Sequence, residues 1–250
     1  MVNMEQERKV KVWAHRGASA YRPENTLEAF ALAVEQQADG VELDVQLSRD
    51  GEVVVVHDEQ LERVSDGTGF VKDHTLQELK ALSFNRTHPE CVGAAIPTLE
   101  EVYDLLKPTG LTVNVELKTS VFPYEGIEEK VLELAARMGM EERVLYSSFG
   151  HCSLVRLKKL NPAAETGLLY SDGWIGVPEY GRNTVGVDAL HPPFWHLQDG
   201  TLAEQAKQLG LRLHVWTVDE PVYMQMLVRQ GVDALITNKP DLCRDVLGRG

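Results

Sequence analysis

Apolar residues recur along this chain with two periods. From Val41 to Leu47 the period is two, so that Val41, Leu43, Val45 and Leu47 share one face of an extended segment and Glu42, Asp44 and Gln46 share the other. Asp50-Gly51 then reads as a tight hairpin turn, because Gly, Asn and Asp adopt its positive-φ positions at least cost. The returning arm, 52–57, brings His57 roughly opposite Asp44. Residues 113–118 repeat the alternation and put Asn114, Glu116 and Lys118 on one face. Elsewhere the spacing is helical. Asn25 and Glu28 have the form of a capping box, and Leu27, Phe30, Ala31 and Val34 follow at helical intervals. Pro97 or Thr98 opens another helix, with Glu100 and Glu101 in its first turn, where they complement the helix dipole.

Nine segments read as strands: 10–14, 41–47, 52–57, 111–118, 143–149, 166–170, 187–190, 212–218 and 234–237. Helices are predicted between them at 97–106, 126–138, 153–160, 202–209 and 221–229, the last with Pro in its first turn. Such alternation implies a parallel sheet with helical crossovers. If 52–57 is only the returning half of a hairpin, eight parallel strands remain, the number that closes a (β/α)8 TIM barrel. An open doubly wound sheet is the alternative, but no Gly-x-Gly-x-x-Gly turn follows the first strand. Residues 59–97 carry short apolar clusters broken by Gly, Asn and Pro; too long for a plain connection, they read as a small lobe inserted after the strand-two hairpin of a single domain spanning 1–250. Residues 174–184 read as irregular.

Composition narrows the function classes. With 43% apolar residues in 250, the chain can bury a large core, and no apolar run approaches membrane-spanning length. The charged start, 1–11, leaves no room for the apolar segment of a signal peptide, so a cytoplasmic protein is expected. Cys91, Cys152 and Cys243 lie far apart and are odd in number, which suits free thiols. A formal charge of −13 argues against nucleic acid and against stable association with anionic membranes, so attraction for an anionic substrate must be local.

In a barrel the chemistry sits at the C-terminal strand ends. Here those ends carry His15 and Arg16, Glu42 and Asp44, Glu116 and Lys118, Ser148 and Phe149, and His214 or Trp216. Three inward carboxylates, Glu42, Asp44 and Glu116, would be buried without partners, and with no Cys and no His-x-x-x-His spacing they suit one hard divalent cation, Mg2+ or Ca2+. Arg16 and Lys118 are the donors a phosphate wants, and His15 and His57 suit acid and base near neutral pH. His191 and His214 lie near strand ends, which leaves a rim role open to them without assigning it; His74, His88, His151 and His196 are given no role.

The motifs His15-Arg16-Gly17-Ala18, Pro23-Glu24-Asn25-Thr26, Glu42-Leu43-Asp44-Val45, Val56-His57-Asp58, Pro97-Thr98-Leu99-Glu100, Val115-Glu116-Leu117-Lys118, Trp216-Thr217-Val218 and 231–237 resemble, in order, those of the glycerophosphodiester phosphodiesterase family. The resemblance runs from about Val12 to Asp241. It implies a TIM barrel with a small insertion, a divalent metal, and hydrolysis of glycerophosphodiesters to sn-glycerol 3-phosphate and an alcohol. It further implies that His15 and His57 are the catalytic pair, that Glu42, Asp44 and Glu116 are metal ligands, that Arg16 and Lys118 contact phosphate, and that Trp216 forms an aromatic wall. A related barrel acting on intact phospholipid, docking through Trp174-Ile175 and Phe194-Trp195, and a barrel that only binds a ligand are the competing classes.

Overall fold

A computed structural model describes residues 10–249, so the charged start lies almost wholly outside the described residues. Its strands are β1 (Lys11–His15), β2 (Gly40–Leu47), β3 (Val53–Val55), β4 (Thr112–Leu117), β5 (Val144–Ser148), β6 (Glu165–Leu169), β7 (Ala189–His191), β8 (Arg212–Val215) and β9 (Ala234–Thr237). Around them lie α1 (Leu27–Glu35), α2 (Leu76–Lys80), α3 (Leu99–Leu106), α4 (Ile127–Met138), α5 (His151–Leu160), α6 (Val177–Glu179), α7 (Thr201–Gln208), α8 (Pro221–Gln230) and α9 (Pro240–Val246). The sheet runs β1-β9-β8-β7-β6-β5-β4-β2-β3, and β1 also pairs with β2. Eight parallel strands therefore close into a (β/α)8 barrel, and β3 stands outside the ring as the antiparallel arm of the β2 hairpin.

The alternation in β2 does what it predicted. Val41, Leu43 and Val45 join the main core beneath the helices, while Glu42, Asp44 and Gln46 are buried inside the barrel. Val54 and Val56 turn the other way and join Leu61, Val64, Val71, Leu79, Phe84 and Ile96 in a second, smaller core. The segment between β3 and α3 thus packs around apolar residues of its own.

Four local expectations need correction. Thr26, rather than Asn25, caps α1, its hydroxyl accepting from the Ala29 amide; Asn25 sits at φ +58° and turns toward β2. Pairing of Val45 with Val55 places Val56 across from Asp44, whose carbonyl accepts from the Val56 amide, and His57 falls one residue further on. The irregular 174–184 stretch holds α6 and a π-helix, Tyr180–Val185. The strand expected over 212–218 stops at Val215, because Trp216 makes only an isolated bridge to Pro193.

Of His191 and His214, the first reaches the cavity at the barrel mouth and the second does not. Both are buried inside the barrel, with His214 Nδ1 2.9 Å from His191 Nε2 and the Trp13 ring 4.5 Å from that of His214. Gly167 makes the room: a Cβ there would lie 2.2 Å from His191 Nε2. Burial, with Arg212 adding to it, pushes His191 down to about 3, and burial beside His191 also lowers His214. Below the ordinary histidine range the unfolded chain binds protons that the folded pair refuses, so stability is lost as pH falls from about 6.5 toward 3. Thermal melts across that window should show Tm falling with pH, and a His191→Leu/His214→Leu double variant should show a shallower fall; equal slopes would refute the linkage.

Candidate active site

The site begins with a strained turn. His15 ends β1, and Arg16 and Gly17 both take positive φ, at 55° and 80°. A Cβ on Gly17 would meet the Ala29 backbone at 2.6 Å, so only glycine lets α1 approach. Arg16, with a Cβ, holds a conformation that costs about 1 kcal/mol or more and persists where surroundings enforce it. Here the Arg16 amide donates to the Glu42 side chain (Oε2, 3.0 Å) and the Glu42 carbonyl (2.9 Å). The turn swings the guanidinium over the barrel mouth, where Nε lies 3.3 Å from Asp44 Oδ2 and NH1 donates to Glu24.

Next to it, Glu42 and Asp44 from β2 and Glu116 from β4 bring one oxygen each within 4.8 Å of one another. Lys118, just past β4, donates to Glu116 Oε1 at 3.0 Å and lies 3.9 Å from Asp44 Oδ1. Burial alone would push Asp44 up, but Arg16, His57, Lys118 and an Asn25 side-chain hydrogen bond hold it below the carboxylate range. Burial pushes Glu42 well up, reinforced by Asp44 and Glu116; burial and Asp44 also raise Glu116. Two local cations do not balance three buried carboxylates, and Asp44 Oδ1 has no hydrogen-bond partner in the protein. The donors are all oxygen, and this buried triad could hold a metal ion.

The two histidines face this cluster with different partners. The carboxylate of Asp219 accepts from Asn238 Nδ2 (2.6 Å) and from the Asn238 amide and Thr237 Oγ1, which fixes the side-chain amide of Asn238. Asn238 Oδ1 therefore faces His15 Nδ1 at 2.7 Å and can only accept, so the His15 proton sits on Nδ1 and the neutral ring keeps its lone pair on Nε2. Burial, with Arg16 nearby, holds His15 down to about 4. His57 Nδ1 instead meets Asp58 Oδ1 at 2.6 Å, and that hydrogen bond is the largest cause keeping Asp58 ionised. Gln46 Nε2 faces the carbonyls of Val56, His57 and Asp58, and Tyr124 donates to its Oε1, so the interior amide pins the loop that presents His57.

A cavity of about 210 Å³ opens above, lined by His15, Arg16, Glu42, His57, Glu116 and Trp216 together with Phe149 and Asn114. Asp44 lies beneath and Lys118 at its edge, so all eight residues singled out from the sequence converge. Trp216 donates from Nε1 to the His191 carbonyl and meets Phe149 edge-on at 5.8 Å. Polar atoms at the cavity, Asn114 Oδ1 and His191 Nδ1, also lack a protein partner. Asn114 and Phe149, placed by the sequence on the polar face of β4 and at the end of β5 but given no role there, line the cavity directly; Asn25, Asp219 and Asn238 act through neighbours distant in the chain, which no local pattern reveals.

A family model described as the glycerophosphoryl diester phosphodiesterase family matches residues 15–242. The chain belongs to this family. It is accordingly an enzyme of the phosphoric diester hydrolase class. A glycerophosphodiester phosphodiesterase of Caldanaerobacter subterraneus is 42% identical over 97% of this chain and 99% of its own length. Among solved structures, an Oleispira antarctica phosphodiesterase in complex with the product sn-glycerol-3-phosphate has a TM-score of 0.84 at 31% identity, covering 95% of this chain and 96% of that one. An Agrobacterium tumefaciens glycerophosphodiester phosphodiesterase has a TM-score of 0.84 at 27% identity, covering 94% and 99%. Among the described residues no helix is long and apolar enough to cross a membrane.

Proposed function

We propose that this chain hydrolyses glycerophosphodiesters to sn-glycerol 3-phosphate and an alcohol, with His15 and His57 as the acid and base pair. The observation that carries the reading is the convergence of two histidines, two cations and three buried carboxylates on one cavity. Glu42, Asp44 and Glu116 would hold Mg2+ or Ca2+, which when bound offsets charge on the phosphoryl oxygens. Arg16 and Lys118 donate to the same phosphate. His15, neutral and with its lone pair on Nε2, takes the proton of the substrate's own glycerol 2-hydroxyl. The freed oxygen attacks phosphorus, the bond from phosphorus to the alcohol oxygen breaks, and His57 donates its Nε2 proton to that oxygen. Water then opens the cyclic phosphate with the roles exchanged: His57 takes a proton from water and His15 returns one to the 2-oxygen.

The test is release of glycerol 3-phosphate from a panel of glycerophosphodiesters with small head groups, run beside intact phospholipid vesicles. Release from the soluble panel supports the reading, and release from vesicles alone overturns it. Exposure of Trp174 and Ile175 is the observation that favours the second reading, action on intact lipid. Because the net charge is −13, Lys118, Arg16 and the metal carry the phosphate attraction. Lys118→Met should therefore lower kcat/KM at least about tenfold, the loss of one charged contact worth roughly 1.5 to 3 kcal/mol. A kinetically silent Lys118→Met refutes its placement.

A further inference from the structure

Arg63 lies in the segment between β3 and α3, away from the barrel strands, and none of the proposed steps uses it. Its neighbours Leu61 and Val64 are buried in that segment's own core, and the Val64 amide donates to the Leu61 carbonyl, so the turn is anchored and Arg63 projects from it. The guanidinium meets two carboxylates, each through a two-point fork. NH1 donates to Glu24 Oε2 at 2.7 Å and NH2 to Glu24 Oε1 at 2.8 Å. Nε donates to Asp58 Oδ2 and NH2 to Asp58 Oδ1 at 3.0 Å.

Each of those carboxylates already holds a group at the cavity. Glu24 Oε1 accepts from Arg16 NH1, and Asp58 Oδ1 is the partner of His57 Nδ1. The result is one continuous chain, Arg16–Glu24–Arg63–Asp58–His57, joining the β1 turn to the end of the β2 hairpin across the mouth of the barrel. We propose that Arg63 is a positioning residue: by clamping Glu24 and Asp58 together it sets the orientation of Arg16 and His57, and this is what the β3–α3 segment contributes to the reaction. An ordinary exposed ion pair contributes little because two long side chains must be held in one geometry. This one differs in that both forks are bidentate and both acceptors are themselves tied down, which leaves the guanidinium one arrangement. A lysine presents a single ammonium and cannot form either fork.

The inference rests on the phosphodiesterase reading, and the experiment separates the two. Arg63→Ala and Arg63→Lys are assayed on glycerophosphodiesters, with melting temperatures and with the proton NMR signal of His57 Nδ1–H followed in parallel. Arg63→Ala should keep the parent's melting temperature within a few degrees and lose kcat about tenfold or more, with a smaller rise in KM. Guanidinium ion, added below denaturing concentrations, should restore much of the lost kcat, whereas methylammonium should not. Arg63→Lys should fall between parent and Arg63→Ala, and it serves as the test if the alanine variant does not fold. The His57 Nδ1–H signal should shift or broaden in either variant. A folded variant with parental kcat and an unmoved His57 signal overturns the inference, as does a loss of activity that tracks a fall in melting temperature and that guanidinium does not restore. If the parent itself releases no glycerol 3-phosphate, the phosphodiesterase reading fails, and the His57 signal alone decides the clamp.

Discussion

Asp44→Ala is expected to lower kcat/KM by about a thousandfold or more, and exhaustive chelation of the parent enzyme should do the same. Asp44 is fully buried, and it is the carboxylate that the surrounding charges keep ionised while Glu42 and Glu116 are pushed up. Removing it would take away one of the three proposed ligands and leave Arg16 and Lys118 facing a diminished negative charge, so the proposed cation site and phosphate contacts would loosen together. Electrostatic stabilisation by a metal is worth several kcal/mol, and each 1.36 kcal/mol is about tenfold in rate, which sets the thousandfold scale. The measurement is steady-state kinetics in graded Mg2+ and Ca2+, with Asp44→Asn as the isosteric control for packing. Parental turnover in the presence of a strong chelator, or in a folded Asp44→Ala, overturns the metal assignment.

The second large effect concerns the nucleophile. A substrate whose glycerol 2-hydroxyl is replaced by hydrogen should bind with nearly the parent affinity and be cleaved at least about a thousandfold more slowly. An internal hydroxyl held close to phosphorus gains several kcal/mol over water from solution, and the deoxy compound forfeits that advantage while keeping its phosphate. His15→Asn should produce a loss of about a hundredfold to ten-thousandfold on the normal substrate, the range of general base catalysis, with little further effect on the deoxy one. The deciding comparison is kcat for the two substrates on the same enzyme. Cleavage of the deoxy compound at the parent rate ends the cyclic route and leaves direct attack by water.

The barrel and the carboxylate cluster were legible because period-two patterning carries unambiguous facing information. Once Val41, Leu43 and Val45 are assigned to the core, Glu42 and Asp44 must point inward, and β4 repeats the same statement with Glu116. What the sequence did not show were partners chosen by three-dimensional closure. Asn25 looked like a helix cap because Asn-x-x-Glu has that form, yet Thr26 has the better geometry and frees Asn25 to donate to Asp44. The positions of His191 and His214 near strand ends leave a rim role open without deciding it. His191 is interior because Gly167, on the neighbouring strand, leaves a hollow that no local pattern reveals, and His214 packs against it. Arg63 escaped notice for the same reason: a lone arginine in a turn-rich stretch reads as solvated until Glu24, 39 residues away, is seen to receive it.

Ring closure has a consequence for when activity can arise. β1 is hydrogen-bonded on one side to β2 and on the other to β9, and the partner that fixes the proton on His15, Asn238, is 223 positions along the chain. During synthesis from the N-terminus, β1 can therefore meet β2 early but keeps an open edge until the last strand has been made. Contacts of such long sequence separation form late, since their loop-closure entropy must be overcome first. His15, the proposed base, is thus among the last groups to acquire its hydrogen-bond geometry, and a nascent chain in which β9 has not yet been made lacks the Asn238 contact that sets its tautomer.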